Sequence, residues 1–142
     1  IDFFKGFADK CHHMKEENLL FPAMEKVGFS KDAGPVAVML DEHTLGRKYI
    51  ATMTESLSAM KQGNMNASPK FVEAARGYIS LLSEHIAKED NVLFHMADMH
   101  LSPEIQSGLV KEFERVEREE IGEGKHEEYH ELMKKLKGIY LA

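Results

Sequence analysis

Apolar residues recur at steps of three and four through most of this chain, the period of helices that bury one face. Sparse glycines and prolines cut that pattern into blocks. The first block predicts a helix from about Asp2 to Val27, stopped by Gly28. A second follows from about Pro35 to Gln62, entered through the turn Ser30-Lys31-Asp32-Ala33-Gly34. The third runs from about Pro69 to Met99, with Ser68 read as its N-cap and Pro69 as its first helical residue. Ser102-Pro103-Glu104 repeats that signal and opens a fourth helix to about Glu119. The turn Ile121-Gly122-Glu123-Gly124 precedes a last helix near His126 to Leu141. No stretch alternates with period two for long enough to form a sheet, so the expected class is all-α.

One segment occurs twice. His12-His13-Met14-Lys15-Glu16-Glu17-Asn18-Leu19-Leu20-Phe21 lies over His85-Ile86-Ala87-Lys88-Glu89-Asp90-Asn91-Val92-Leu93-Phe94 without a gap, and six positions are identical. The two segments read as equivalent helices of a bundle with approximate two-fold symmetry. Duplicated packing would explain the repeated Leu and Phe. It does not explain a repeated His and Glu.

At about 100° per residue, His12 shares its face with Ile1, Ala8, Glu16, Leu19 and Ala23. His85 shares its face with Phe71, Ala74, Tyr78, Leu81, Glu89, Val92 and Met96, and His43 with Val36, Met39, Ile50, Leu57 and Met60. Each His-Glu pair therefore sits in the middle of an apolar stripe. A buried carboxylate costs on the order of several kcal/mol unless something compensates it. A metal ion does so, because imidazole nitrogen and carboxylate oxygen at i, i+4 converge on one ion. His43 alone would more often be a hydrogen-bonded core histidine; two further helices aiming His and Glu at the same interior shift it toward ligation. The equally spaced pair His13 and Glu17 lies about 100° and 140° from His12, off the stripe, so His12 and Glu16 are preferred. Glu17 and Asp90 hold equivalent places in the repeat, either as outer partners of the ligands or as solvated groups.

The rest of the composition mostly narrows the field. The chain has 142 residues and a net charge of −6, the size of one domain (1–142) and the wrong sign for a nucleic-acid partner. No apolar run approaches the roughly 20 residues of a membrane span. A single cysteine, Cys11, excludes an internal disulfide and fits a reducing cytoplasm; it reads as a packed residue, not a ligand or nucleophile. His100, His126 and His130 are expected at the surface, and the Glu-rich stretch from Glu112 to Glu128 as a solvated face with i, i+4 pairs. The nine methionines read as core filler.

These motifs together resemble the hemerythrin HHE cation-binding family. They run from Phe7-Ala8-Asp9-Lys10-Cys11-His12-His13-Met14-Lys15-Glu16-Glu17 through Leu20-Phe21-Pro22, then Glu42-His43, then His85-Ile86-Ala87-Lys88-Glu89-Asp90 through Leu93-Phe94. The resemblance implies an up-down four-helix bundle with an additional short C-terminal helix. It also implies a non-haem diiron centre, two iron ions with oxo- or hydroxo- and carboxylate bridges, preferred to zinc or manganese. His12, His43 and His85 would be terminal ligands, and Glu16 and Glu89 the bridging carboxylates. Family members usually carry an earlier helix with another histidine, so this chain is read as lacking that first helix. Some also have a histidine four residues after the one in the middle helix, where Arg47 stands here, so a histidine-poor site and no simple oxygen carriage are expected.

Function is read as binding or sensing of oxygen, nitric oxide or iron. The alternatives are a diiron enzyme (peroxidase, ferroxidase or repair factor for damaged iron centres) and an interaction module with a structural metal. Tyr78, on the face of His85, is either a hydrogen-bond donor to a bound ligand or a plain core residue. Apolar surface left by a missing helix predicts a homodimer.

Overall fold

Helix α1 spans residues 2–26 and is not uniformly α-helical. Over Phe4–His13 and again over Glu16–Leu20 its turns are wide, closing i→i+5 hydrogen bonds such as Met14 N–H to Asp9 O and Phe21 N–H to Glu16 O. The last turns, Phe21–Lys26, are ordinary α-helix, with Pro22 directly after the second wide turn. Gly28 then stops the helix at φ +105°: Phe29 N–H reaches Met24 O at 3.2 Å and Gly28 N–H reaches Glu25 O at 3.1 Å. Only glycine takes that left-handed position without strain. The computed structural model describes residues 1–122 and 124–141, and the side chains of Glu120, Ile121 and His126 lie outside the described set, so the expectation for His126 does too.

Helix α2 is Gly34–Lys61, and Gly63 at φ +94° closes it in the same way. Helix α3 covers residues 68–100: α-helical Ser68–Lys88, a wide turn Glu89–Leu93, then Phe94–His100. Ser68 is not its N-cap. A 3₁₀ turn, Met65–Ala67, feeds straight into the helix, so Ser68 already has helical angles and its hydroxyl caps nothing. Ser102 does cap helix α4, Pro103–Val116, accepting from Ile105 N–H at 3.4 Å. A wide turn Glu117–Ile121 extends α4, and helix α5 is Lys125–Tyr140.

The repeat seen in the sequence is also a repeat in the backbone. Both copies widen at the glutamate, Glu16–Leu20 and Glu89–Leu93, and both return to α-helix at the phenylalanine. Leu20, Phe21 and Leu93 then join Met24, Val36, Met39, Ala97 and Leu101 in one buried cluster. A second cluster, Ile50, Met53, Ala74 and Tyr78, lies further along the same helices. Each fully buried side chain of this size stabilises the fold by about 1.5–3 kcal/mol.

Helices α1, α2 and α3 run up, down and up, as the pairs Asp9–Arg47, Glu17–His43 and His43–His85 require. The fourth place is taken by α4, whose Leu109 and Phe113 pack against the first cluster while Lys15 pairs with Glu117. Helix α5 lays Tyr129 edge-on against Phe3 at 5.7 Å. This is the all-α bundle that the hydrophobic period predicts. Among the described residues no strand forms, and no helix is long and apolar enough to cross a membrane.

Candidate metal centre

Between the two apolar clusters the bundle interior turns polar. Glu16 from α1, His43 from α2, and His85 and Glu89 from α3 are 1–3% exposed, and one ligand atom of each lies within 4.8 Å of all the others. His43 Nε2 is 3.3 Å from Glu16 Oε2, His85 Nε2 is 2.9 Å from Glu89 Oε1, and the two Nε2 atoms are 3.2 Å apart. Neither oxygen of Glu16 has a hydrogen-bond partner among the described residues. That is an expensive way to build a core. The donor set suits a metal ion, which would satisfy all four groups at once.

The far sides of the two imidazoles point the same way. His43 Nδ1–H donates to Glu17 Oε1 at 2.7 Å, and His85 Nδ1–H donates to Glu42 Oε2 at 2.9 Å. An ionised carboxylate only accepts, so both Nδ1 atoms carry the proton and both Nε2 lone pairs face inward. This outer carboxylate is what orients histidine ligands in metal sites. Arg47 holds Glu17 in turn, with Nη2 at 2.8 Å, and its Nε donates to Asp9 at 2.8 Å. Lys88 donates to Glu42. Burial pushes the Glu42 carboxyl up, but the hydrogen bonds from Lys88 and His85 outweigh it and hold the group below its usual value. Glu17 is therefore an outer partner, whereas its counterpart Asp90 is exposed. The helix period does not mark Glu42; the signal available was its place beside His43.

His12 stands at the rim. Its side chain is 41% exposed, with Nε2 3.4 Å from Glu89 Oε1 and 3.9 Å from Glu16 Oε1. The hydrogen bond with Glu89 raises its pKa above the usual value. Glu89 moves down: burial alone would raise it, but His12 and His85 dominate. His85 is raised because Glu89 and Glu42 overcome its desolvation. His13, which a 100° step sets off the stripe, is 6% exposed and stacks on His43 with centroids 4.0 Å apart. Wide turns rotate each residue by less than an α-helix does, so over Phe4–His13 the inward direction drifts to fall between the two histidines. Burial drives His13 down to about 2, and the neighbouring His43, His12 and His85 reinforce it, so it is neutral.

The remaining candidates are quieter. The Cys11 thiol is 2% exposed and pushed up by burial, as a packed residue is. Tyr78 is buried and its hydroxyl has no partner among the described residues; burial lifts it to about 12. It lines a cavity of about 10 Å³ with His13, His43, Gly46 and His85. That is room for about one water. His100 and His130 are exposed.

The family model of the hemerythrin HHE cation binding domain matches residues 1–97. The chain belongs to that family. All the buried donors above fall inside the matched stretch, and a cation-binding domain is what they fit. Curated relatives include the iron-sulfur cluster repair protein YtfE of Escherichia coli O1:K1 and that of Citrobacter koseri, each 33% identical over 95 residues. The aligned stretch covers 61% of this chain and 40% of either relative. The HHE chain thus matches less than half the length of these proteins. No solved structure matches it significantly.

Proposed function

We propose that this chain holds a carboxylate-bridged pair of iron ions at His12, Glu16, His43, His85 and Glu89, and uses them to bind oxygen or nitric oxide. One observation carries the reading: the inward Nε2 atoms of His43 and His85 stand 3.2 Å apart while each outer Nδ1 is tied to its own carboxylate. Glu16 and Glu89 lie between His12 on one side and His43 and His85 on the other, which suits bridging. Iron at this site would supply an open-shell, redox-active centre for a diatomic ligand. Mixed imidazole and carboxylate donors suit iron and manganese, and metal content separates them from zinc.

The test is metal content by mass spectrometry on anaerobically purified protein, with absorption spectra before and after exposure to air or nitric oxide. About two irons per chain and new charge-transfer bands support the proposal. Zinc alone, or no spectral response after iron reconstitution, sinks it.

A second reading is a part in repairing damaged iron centres, supported by the name of the YtfE relatives. Repair activity would appear as restored function of a nitric-oxide-damaged iron-sulfur enzyme upon adding this protein. The proposal includes a cytoplasmic location, a single domain over 1–142 and a homodimer, with no nucleic acid and no membrane as partner. The net charge of −6 supports the exclusion of nucleic acid. Light scattering on the metal-loaded protein decides the dimer, and a monomeric mass would dismiss it.

A further inference from the structure

The metal-centre proposal leaves one buried histidine without work. His13 is 6% exposed, its Nδ1 has no hydrogen-bond partner among the described residues, and the nearest carboxylate, Asp9 Oδ1, is 3.7 Å away. Its ring is stacked on that of His43, 17° between planes and 4.0 Å between centroids, so one of the two rings has to turn before both in-plane lone pairs can meet a single ion. It stands edge-on to that of His85 at 5.5 Å. One nitrogen from each of His13, His43 and His85 lies within 4.8 Å of the other two.

We infer that His13 is a metal ligand, completing a three-histidine position with His43 and His85. This inference rests on the metal-centre reading above. It makes the centre lopsided. On one side stand three buried imidazoles; on the other His12 stands alone, its side chain 41% exposed. Glu16 and Glu89 reach both sides: Glu16 is 3.3 Å from His43 and 3.9 Å from His12, and Glu89 is 2.9 Å from His85 and 3.4 Å from His12.

The geometry also explains how a histidine-poor motif yields a histidine-rich position. Arg47, one turn after His43, is occupied with Asp9 and Glu17 and offers no lone pair. The wide turns of Phe4–His13 swing His13 inward from α1 instead, while His12 remains near enough to meet the carboxylates. Two adjacent residues of one helix thus serve the two metal positions. The His13 side is shielded and nitrogen-rich. The His12 side is exposed and short of protein donors, so its metal is the one that exchanges first.

The test titrates the metal-free full chain with Co(II) under nitrogen, following d–d absorption and metal retained after desalting. The wild type is expected to take two ions, and a chelator to withdraw them in two steps. His13→Ala should lose the slowly exchanging ion, with affinity falling by more than the roughly 100-fold reached when an outer partner is removed. Added imidazole should restore it by entering the vacated space. His12→Ala should lose the fast ion and keep the slow one. X-ray absorption on the singly loaded wild type should count three imidazoles. His13→Ala or His13→Gln binding two ions with wild-type affinity and spectrum, at unchanged helix content by circular dichroism, would overturn the inference while leaving the metal-centre reading intact. A wild type that binds no ion would overturn both.

Discussion

At the residue scale, the outer carboxylates are as informative as the inward donors. Glu42 fixes which nitrogen of His85 is free, and Glu17 does the same for His43. Replacing Glu42 by Ala should weaken iron or cobalt binding by roughly 10–100-fold without removing a ligand; isothermal titration would detect it, and unchanged affinity would deny Glu42 that role. Protons compete for the same nitrogens. His12 and His85 are both raised above the usual histidine value in the metal-free protein, His12 mainly by Glu89 and His85 by Glu89 and Glu42 against its own desolvation. Below those raised values each imidazole carries a proton that a metal must displace, so apparent affinity should climb as pH rises and level off once both are deprotonated. Loading in weakly buffered solution near pH 6 should release protons, which a pH electrode would record; no release would contradict these assignments. These partners are invisible to a helix-period argument, since Glu42 and His85 are 43 positions apart.

At the element scale, the widened turns decide the site. A helix wound at 100° throughout places His12 inward and His13 aside; with the i→i+5 bonds over Phe4–His13, His13 is buried and His12 stands at the rim. Helix contacts also set the value of small residues. Gly77 lies within α3, where Ala for Gly normally stabilises an exposed helix by about 0.5–1 kcal/mol. Here a Cβ would stand 2.7 Å from the ring of Tyr49 on α2, inside any normal contact. Gly77→Ala is therefore expected to lower the thermal midpoint, and a rise would mean that Tyr49 swings aside at little cost. The same closeness marks the join of α1 and α5, where Gly6 lies directly under Tyr129.

At the scale of the whole molecule, four buried donors in the middle of the bundle tie its stability to its ligand. Metal that binds the folded chain alone stabilises it by about 2.7 kcal/mol at a free concentration 100 times Kd. For a chain of this size that is on the order of 8–10 °C in Tm. Chelation should lower the midpoint by that order in differential scanning calorimetry, and an unchanged midpoint would argue that the cluster holds no metal. The sequence by itself determined the helical class, the helix ends to within about two residues, and the burial of Glu16, His43, His85 and Glu89. Those follow from local period and end signals, which every residue reports from its own neighbours. The tertiary structure alone decided the inward turn of His13, the outer roles of Glu17, Glu42 and Arg47, the helical start at Ser68, and the packing of α4 as fourth helix. Each of these depends on how wide a helix winds under contact with others, or on groups brought together from distant positions, and neither is written in a local pattern.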